Sequence, residues 1–265
     1  MIILCALSVI PSVAQGKWEH PWKGKRVAYL GDSVTDPSNN GSEMKYWGFL
    51  QQWLDIQPLV YGISGKEWND IPRQADKLKA EHDNDFDAII IFMGTNDFND
   101  GIPIGRWYEE KVDPVEMGVW RKVARGVYHS RHRMMSMDQN TYCGRINIAM
   151  EKLRRMFPRK QIVLMTPIHR SVFCPEDVLP SPSEAYPNFI GTYFDEYVDK
   201  IKEASNVWSV PVIDLNGISG LFPLIDEAAV YFHDTETDRL HPNDEGHARL
   251  ARTIACQLAV LPCAF

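Results

Sequence analysis

The sequence has no uninterrupted apolar run of about 20 residues, which is the length that a helix needs to cross a bilayer. Its 17 glycines in 265 residues are an ordinary share, far below the one residue in three of a collagen-like chain. Positive charge is not in excess, since 35 acidic residues stand against 28 basic ones. We therefore expect no stable membrane insertion and no nucleic-acid partner, because anionic lipid and nucleic acid both require a basic face.

Residues 1–14 carry no charge and are mostly apolar, yet they are too few to span a bilayer. Ser12 and Ala14 are small residues placed as at a signal-peptidase site, so we expect a signal peptide over 1–14 and a mature chain that begins at Gln15. The predicted location is secreted or periplasmic. The basic residues that usually open a signal peptide are missing, and a misplaced start codon or a buried N-terminal strand is the alternative.

The remaining chain has the composition of an ordinary soluble enzyme, with 45% hydrophobic and 24% charged residues overall. It contains no internal repeat, low-complexity tract or linker, so one domain over 15–265 is expected. Its four cysteines form no CxxC pair and their spacing selects no disulfide pairing. Free thiols are the simpler expectation, and we assign no function to Cys143, Cys174, Cys256 and Cys263.

Short apolar, β-branched runs alternate with helix-like segments, a pattern typical of βαβ units around a parallel sheet. Five strands are predicted at Val27–Leu30, Leu59–Tyr61, Ala88–Met93, Ile162–Thr166 and Val210–Ile213. Five helices are predicted at Tyr46–Trp53, Trp68–Glu81, Arg145–Phe157, Tyr193–Ala204 and Glu245–Ala259. The expected fold is α/β, a three-layer α/β/α sandwich around a five-stranded parallel sheet, with its ligand site at the carboxyl ends of the strands.

Two segments interrupt this alternation. Residues 104–137 mix basic and aromatic residues with patchy period-two spacing, which predicts an inserted β-ribbon. Residues 171–187 contain four prolines, and they form either the rim of an active site or an ordinary surface loop.

Two motifs carry the residues of a nucleophile and its base. Gly31-Asp32-Ser33 directly follows the first strand, where a serine can project its hydroxyl above the sheet and keep its N–H free for an anion. Asp238 precedes His241 by three positions in one tight turn, which lets the carboxylate reach Nδ1 and orient the imidazole. Each motif alone is also ordinary chemistry of a βα turn or of a capped turn with an exposed histidine.

Two further strand ends offer hydrogen-bond donors for an oxyanion. The tetrapeptide GTND at 94–97 ends the third strand, and its Asn96 amide could donate to the oxygen of an attacked carbonyl. Gly65 follows the second strand and could offer an unobstructed backbone N–H, although Gly62 competes for this role. Asparagine and glycine after strands are more often simple turn formers.

In this order and at these positions, the four segments resemble the SGNH hydrolases, also called GDSL esterases and lipases. The resemblance spans residues 26–260, and it implies a flavodoxin-like sandwich without a metal or an organic cofactor. The residue after the serine is Val34 where the family's motif has leucine, a mild change between aliphatic side chains. The resemblance implies a catalytic triad of Ser33, Asp238 and His241. It also implies three oxyanion donors, which are the Ser33 amide, Gly65 and Asn96.

The resemblance is to exported bacterial members that act on carbohydrate esters, and it implies an acyl-enzyme. We expect hydrolysis of O-acetyl groups on extracellular carbohydrate, with a small-molecule or polysaccharide ester as the partner. The alternatives are a lipase or lysophospholipase, a thioesterase, an O-acetyltransferase, and a glycan-binding protein that keeps the fold without turnover. The oligomeric state is left open.

Three further residues are candidates for lining the substrate cleft: Asp32, Trp68 and His169. His169 follows the fourth predicted strand. Sugar rings could stack on four tryptophans, which are Trp47, Trp68, Trp107 and Trp120. Tryptophan side chains more often pack in the core.

His129 and His132 stand three positions apart among arginine and lysine residues. This cluster is either a metal pair or an anion-binding patch, and we expect an ordinary solvated basic face. Cationic neighbours disfavour a metal dication, and the carboxylate that usually orients a ligating histidine is not evident.

Overall fold

The computed structural model describes residues 19–118, 124–174, 181, 183–263 and 265. The predicted signal peptide at 1–14 lies outside these residues. Within the described ranges, no helix has the length and apolar character needed to cross a membrane.

A five-stranded sheet forms the centre of the fold, and each strand runs parallel to its neighbours. In spatial order its strands are β2 (Gln57–Val60), β1 (Arg26–Gly31), β3 (Ala88–Phe92), β6 (Gln161–Met165) and β7 (Val212–Ile213). The chain leaves β1 toward β2 on one side and continues through β3 on the other. The order therefore reverses between β1 and β3, and a cleft opens at such a point outside the carboxyl ends of the strands.

Helices cover both faces of this sheet, so the predicted three-layer sandwich is confirmed. They are α1 (Tyr46–Leu54), α2 (Ile71–His82), α3 (Thr95–Asn99), α4 (Tyr142–Met156), α5 (Phe194–Trp208), α6 (Leu215–Ile218) and α7 (Asp244–Val260). Helices α1 and α7 pack together over one face, and α2, α4 and α5 cover the other.

Successive side chains of a strand point to opposite faces of the sheet, and this alternation builds two apolar cores. Ala28 and Leu30 join the core under α2, α4 and α5. Val27 and Tyr29 join the core under α1 and α7. Because helices cover both faces, the strands read as continuous apolar runs, which is why they were visible in the sequence.

All ten predicted strands and helices are present, with shifted ends. Helix α4 begins at Tyr142, three residues early, because the Thr141 hydroxyl accepts the Gly144 amide at 3.3 Å and caps the helix. The helix predicted over 68–81 opens with a 3-10 turn, and α2 begins at Ile71 with a proline in its first turn. Helices α3 and α6 span 5 and 4 residues, too few for an apolar period to be visible.

The predicted ribbon within 104–137 is confirmed. Strands β4 (Tyr108–Met117) and β5 (Gly126–Met135) pair antiparallel along their whole length. Most of their residues are exposed or half-buried, so the ribbon contributes little to either core.

A second hairpin, β8 (Phe232–Asp234) with β9 (Asp238–Pro242), precedes α7. The tight turn predicted for Asp238 and His241 is therefore a short strand. The segment is extended because it also pairs with the proline-rich insert: Arg239 N donates to Val172 O at 2.8 Å, and Ser171 N donates to Arg239 O at 3.0 Å.

Candidate active site

The turn after β1 holds the candidate nucleophile. Thr35 N donates to Asp32 O at 3.1 Å and closes a tight turn around Ser33. Gly31 is required at the start, because a Cβ there would lie 2.6 Å from Phe92 O. Within the described ranges, no acceptor takes the Ser33 amide, so its N–H is available to an anion.

The Ser33 hydroxyl contacts an imidazole, which in turn contacts a carboxylate. His241 Nε2 lies 2.9 Å from Ser33 Oγ, and His241 Nδ1 lies 2.9 Å from Asp238 Oδ2. When Nδ1 carries the proton and donates it to Asp238, Nε2 faces the hydroxyl as a base. The three residues are only 6–8% exposed, so water screens these interactions weakly.

Asp238 is held as a carboxylate by its local hydrogen bonds. Its Oδ1 accepts the backbone amides of Leu240 and His241 at 3.1 and 3.0 Å. Burial alone would raise the pKa of Asp238, but the hydrogen bonds from His241 and Leu240 outweigh burial and lower that pKa below its usual value. The carboxylate can thus stabilise a His241 imidazolium. Phe173 packs edge-on against the His241 ring, with centroids 5.0 Å apart.

The candidate oxyanion donors lie on two loops and in the first turn of α3, at the carboxyl ends of the strands. Asn96 Nδ2 donates one proton to Lys66 O at 2.8 Å, which leaves a second proton for another acceptor. Gly65 has a φ of +75°, which favours glycine, and a Cβ there would meet nothing within 4 Å. No described residue accepts the Gly65 amide. Ser33, Gly65 and Asn96 follow β1, β2 and β3, which are neighbours in the sheet, and their shared role as oxyanion donors stays a prediction.

Asp36 ties the nucleophile turn to the Gly65 loop. Its Oδ2 accepts both Ser64 N and Ser64 Oγ at 2.7 Å, and its Oδ1 accepts Ser38 N at 2.8 Å. Burial would raise the pKa of Asp36, but the hydrogen bonds from Ser38 and Ser64 lower it below its usual value. Gly62 packs against the same turn, because a Cβ there would lie 2.6 Å from Thr35 Cβ. Gly62 is thus a packing position, and Gly65 is the open one.

A buried charge network holds Asn96 and the Gly65 loop together. Asp97 is fully buried, and it accepts Trp68 N at 3.1 Å and Arg145 Nη1 at 3.0 Å. Arg145 Nη1 also donates to Glu67 Oε2 at 2.9 Å, so two carboxylates share one guanidinium. Burial, together with the charge of Glu67, raises the pKa of Asp97 to about 7.

Gln74 is a supporting residue that the sequence analysis missed. Its Oε1 accepts Gly31 N and its Nε2 donates to Gly31 O, both at 2.9 Å, which clamps the end of β1. A signal was available, because Gln74 stands on the buried face of α2 with Ile71, Ala75 and Leu78. A polar residue on an apolar helix face indicates a buried hydrogen-bond partner.

Two of the three candidate cleft residues do not line a cleft. Trp68 is fully buried in the core beside α2 and α4. Asp32 is 3% exposed, its Oδ1 accepts Val34 N at 3.1 Å, and burial raises its pKa to about 6. The cleft-lining predictions for both residues are wrong, because packing turns each side chain inward. His169 does line a cavity of about 270 Å³, with Nδ1 2.5 Å from Glu184 Oε1, and its contact with substrate stays a prediction.

Hydrogen bonds hold the side chains of Trp47 and Trp107 in place. Trp47 Nε1 donates to Thr35 O at 3.0 Å, on the nucleophile turn. Trp107 Nε1 donates to Glu203 at 2.7 Å, and its side chain is buried. Packing therefore accounts for Trp107, while Trp120 lies outside the described residues.

The histidine pair on the ribbon does not converge. His129 and His132 are three positions apart on one strand, so their side chains point to opposite faces. His132 Nε2 pairs instead with Asp113 Oδ2 at 2.6 Å. In the described ranges, no group of histidine, cysteine, aspartate and glutamate residues is arranged to hold a metal ion, and the four cysteines are free.

A cavity of about 530 Å³ opens beside His241. Six of its eight lining residues have polar side chains, and Phe173 contributes the one phenyl ring. The lining residues are Asn39, Asn40, Gly41, Phe173, His233, Thr237, Asp238 and His241.

The model of the GDSL-like lipase/acylhydrolase family matches residues 29–249, a span that contains every motif residue described above. The chain belongs to this family. The GDSL-like acylhydrolase is therefore an enzyme that hydrolyses ester bonds, as the resemblance implied.

Solved structures share the fold of this acylhydrolase. A protein from Lactobacillus plantarum is 24% identical with a TM-score of 0.67, over 89% of this chain and 97% of that one. A possible lipase from Chitinophaga pinensis DSM 2588 is 19% identical with a TM-score of 0.62, over 88% and 97%. An acetylxylan esterase from Geobacillus stearothermophilus is 16% identical with a TM-score of 0.52, over 91% and 96%. No curated protein matches the chain.

Proposed function

We propose that this acylhydrolase is a serine esterase that works through an acyl-enzyme on Ser33, and that it removes O-acetyl groups from extracellular carbohydrate. The 2.9 Å contact between His241 Nε2 and Ser33 Oγ is the main support for the proposed mechanism. The cavity beside His241, with its polar side chains, supports the proposed substrate.

In the first half-reaction, His241 Nε2 takes the Ser33 proton as Oγ attacks the ester carbonyl. The carbonyl oxygen becomes an oxyanion that accepts hydrogen bonds from the Ser33 amide, the Gly65 amide and Asn96 Nδ2. The tetrahedral adduct collapses, the bond to the alkoxy oxygen breaks, and the His241 imidazolium returns its proton to the leaving alcohol. Asp238 stabilises the imidazolium while it exists.

In the second half-reaction, water replaces the alcohol. His241 Nε2 takes a proton from the water as its oxygen attacks the acetyl carbonyl of the acyl-enzyme. The same donors stabilise the second oxyanion, acetate leaves, and Ser33 regains its proton from the imidazolium. If a sugar hydroxyl took the place of water, the same site would transfer the acetyl group.

The chemistry of the cavity supports a sugar as the alcohol. Asn40 and Thr237 offer hydrogen-bonding groups at its wall, and Phe173 offers one aromatic face. A long acyl chain would fit poorly, because it would remove water from these polar groups without replacing their hydrogen bonds. The fold accommodates such substrates, since one structural neighbour is named an acetylxylan esterase. Export, through the segment at 1–14, would bring the enzyme to extracellular polymers.

Acetate release tests this proposal. We expect release from acetylated xylan, pectin or rhamnogalacturonan, and faster cleavage of p-nitrophenyl acetate than of p-nitrophenyl esters with longer acyl chains. Activity confined to long acyl chains would reject the carbohydrate substrate and favour a lipase.

A cavity variant sharpens the test. Asn40→Ala should raise KM for acetylated oligosaccharides several-fold and leave the hydrolysis of p-nitrophenyl acetate unchanged. The matched control is Asn84→Ala, because Asn84 is exposed and lies before β3, at the amino-terminal end of the sheet, away from the cavity. An equal effect of Asn40→Ala on both substrates would contradict sugar binding in this cavity.

A further inference from the structure

Arg170 is a buried cation close to the candidate oxyanion donor, and the mechanism above does not use it. It follows β6 by five residues and is 1% exposed. Its Nη1 donates to Asn99 Oδ1 and its Nη2 donates to Ser181 Oγ at 2.5 Å. The guanidinium also lies over the Phe98 ring, 5.4 Å from the centroid.

Asn99 connects this cation to Asn96. Both asparagines belong to α3, three positions apart, so they lie on the same side of the helix. Asn99 Nδ2 donates toward Asn96 Oδ1 at 3.5 Å, and Ser181 Oγ donates to Asn99 Oδ1 at 3.2 Å. The far side of the Asn96 amide donates to Lys66 O at 2.8 Å.

A guanidinium is a donor only, and it sets the orientation of the Asn99 amide. At the other end Lys66 O only accepts, and it favours the same orientation of Asn96. Because Arg170 donates, Asn99 must present its oxygen to the cation, which turns its NH₂ group toward Asn96. Asn96 must then present its own oxygen to Asn99, which turns its NH₂ group toward Lys66 O at 2.8 Å and leaves its second proton for an anion. A flipped Asn96 amide would instead place an oxygen beside the oxyanion, where it would repel the developing charge.

We propose that Arg170 and Asn99 are positioning residues that hold the Asn96 amide with Nδ2 toward the oxyanion. The proposal rests on the oxyanion role of Asn96 given above. A neutral hydroxyl could not impose this direction, because a serine can donate or accept. The cation persists at working pH, since burial lowers the pKa of Arg170 to about 10, well above neutrality. Its burial also keeps water from replacing it.

A double-mutant cycle separates this role from simple support of the fold. Arg170→Met should lower kcat for p-nitrophenyl acetate by roughly ten- to a hundred-fold and leave KM within about two-fold, because the lost donor acts in the transition state. In an Asn96→Ala background, the same substitution should have almost no further effect on kcat. Equal factors in both backgrounds, or a change confined to KM, would overturn the proposal.

Two more variants keep the test independent of folding. Arg170→Lys retains a donor-only cation and should recover part of the lost kcat. Asn99→Asp is nearly isosteric and still accepts from Arg170, but it turns a carboxylate oxygen toward Asn96, so kcat should fall at least as far as in Arg170→Met. If Arg170→Met does not fold, the cycle is run with Asn99→Asp. Wild-type kcat in Asn99→Asp would reject the positioning role of Arg170 and Asn99.

The matched control comes from the same region. Asn188 Nδ2 donates to Phe98 O at 3.1 Å and to Tyr197 Oη at 3.0 Å, so Asn188→Ala also loosens the neighbourhood of α3 without touching the two asparagines. It should lower the unfolding midpoint and leave kcat unchanged, and a matching loss of kcat would mean that general loosening explains the Arg170 result.

Asn96→Ala alone tests the oxyanion role of Asn96. Wild-type kcat in this variant would reject that role, and with it the positioning role of Arg170 and Asn99.

Discussion

His241 Nε2 lies 2.9 Å from Ser33 Oγ, although 208 positions separate the two residues in the chain. Ser33 follows the strand beside which the strand order reverses, and His241 lies on β9, directly before the N-terminus of α7. Helices α1 and α7 pack against each other, and this packing brings the segments that hold Ser33 and His241 together. The contact therefore depends on nearly the whole sandwich being folded.

Replacing the nucleophile should abolish turnover. Ser33→Ala leaves the base and the oxyanion donors without an attacking oxygen, so kcat for p-nitrophenyl acetate should fall by about 10⁴-fold or more. A fluorophosphonate probe should label the wild-type protein at Ser33 and leave the variant unlabelled, as mass spectrometry of the labelled peptide would show.

The control for this experiment is Ser130→Ala, which removes a serine from the ribbon at β5. It should keep both labelling and turnover. Ordinary turnover by Ser33→Ala, with acetate released at the wild-type rate, would assign the nucleophile elsewhere.

Asp238→Asn should lower kcat strongly while leaving the fold intact. Asparagine has the size of aspartate, but its NH₂ group can face His241 Nδ1 and favour the tautomer that carries its proton on Nε2, where a base is needed. We expect a loss of roughly 10²- to 10⁴-fold in kcat, smaller than that of Ser33→Ala. Asp83→Asn is the control, because Asp83 is exposed and its φ of 50° suits asparagine. Equal kcat in the two variants would contradict the role of Asp238.

The two glycines of the second loop should respond differently to alanine. A Cβ at Gly62 would lie 2.8 Å from the backbone carbon of Thr35, so Gly62→Ala must displace the nucleophile turn, and both stability and kcat should fall. Gly65→Ala meets open space and keeps its N–H, so it should lose only about 1–2 kcal/mol of stability to its positive φ and keep most of its activity. Thermal unfolding and initial rates check both variants, and the reverse ranking would exchange the roles of the two positions.

The parts that could be predicted from the sequence are those that are local in the chain. Ser33, Asn96 and Asp238 stand in short motifs at the ends of apolar strands or just before the last helix, and a parallel sheet gathers strand ends at one edge. The fold was predictable for the same reason, because burial on both faces leaves continuous apolar runs.

Residues that act through long-range contacts stand in no local motif that identifies their partner. Arg170 meets Asn99 across 71 positions, and Gln74 meets Gly31 across 43. The direction of the Trp68 side chain is not predictable from the sequence, because an aromatic residue before a helix can turn to solvent or to the core. The packing of α2 and α4 decides this direction, and a sequence pattern does not encode it.

Asp97 should make the stability of the folded protein depend on pH. Its folded pKa, raised to about 7 by burial and by the Glu67 charge, is higher than the value of about 4 expected in the unfolded chain. The folded state therefore holds this proton more tightly, and the contribution of Asp97 to the free energy of unfolding falls as pH rises from about 4 to about 7.

Asp97→Asn removes this ionisation and keeps an oxygen for the Trp68 amide. Relative to the wild type, the variant should therefore gain stability as pH rises from about 4 to about 7 and gain little more above that, as measured by denaturant unfolding at each pH. The control is Asp199→Asn, at an exposed position on α5, whose curve should run parallel to that of the wild type. Parallel curves for Asp97→Asn would instead mean that Arg145 neutralises the carboxylate in full and that Asp97 stays ionised in the folded protein throughout this range.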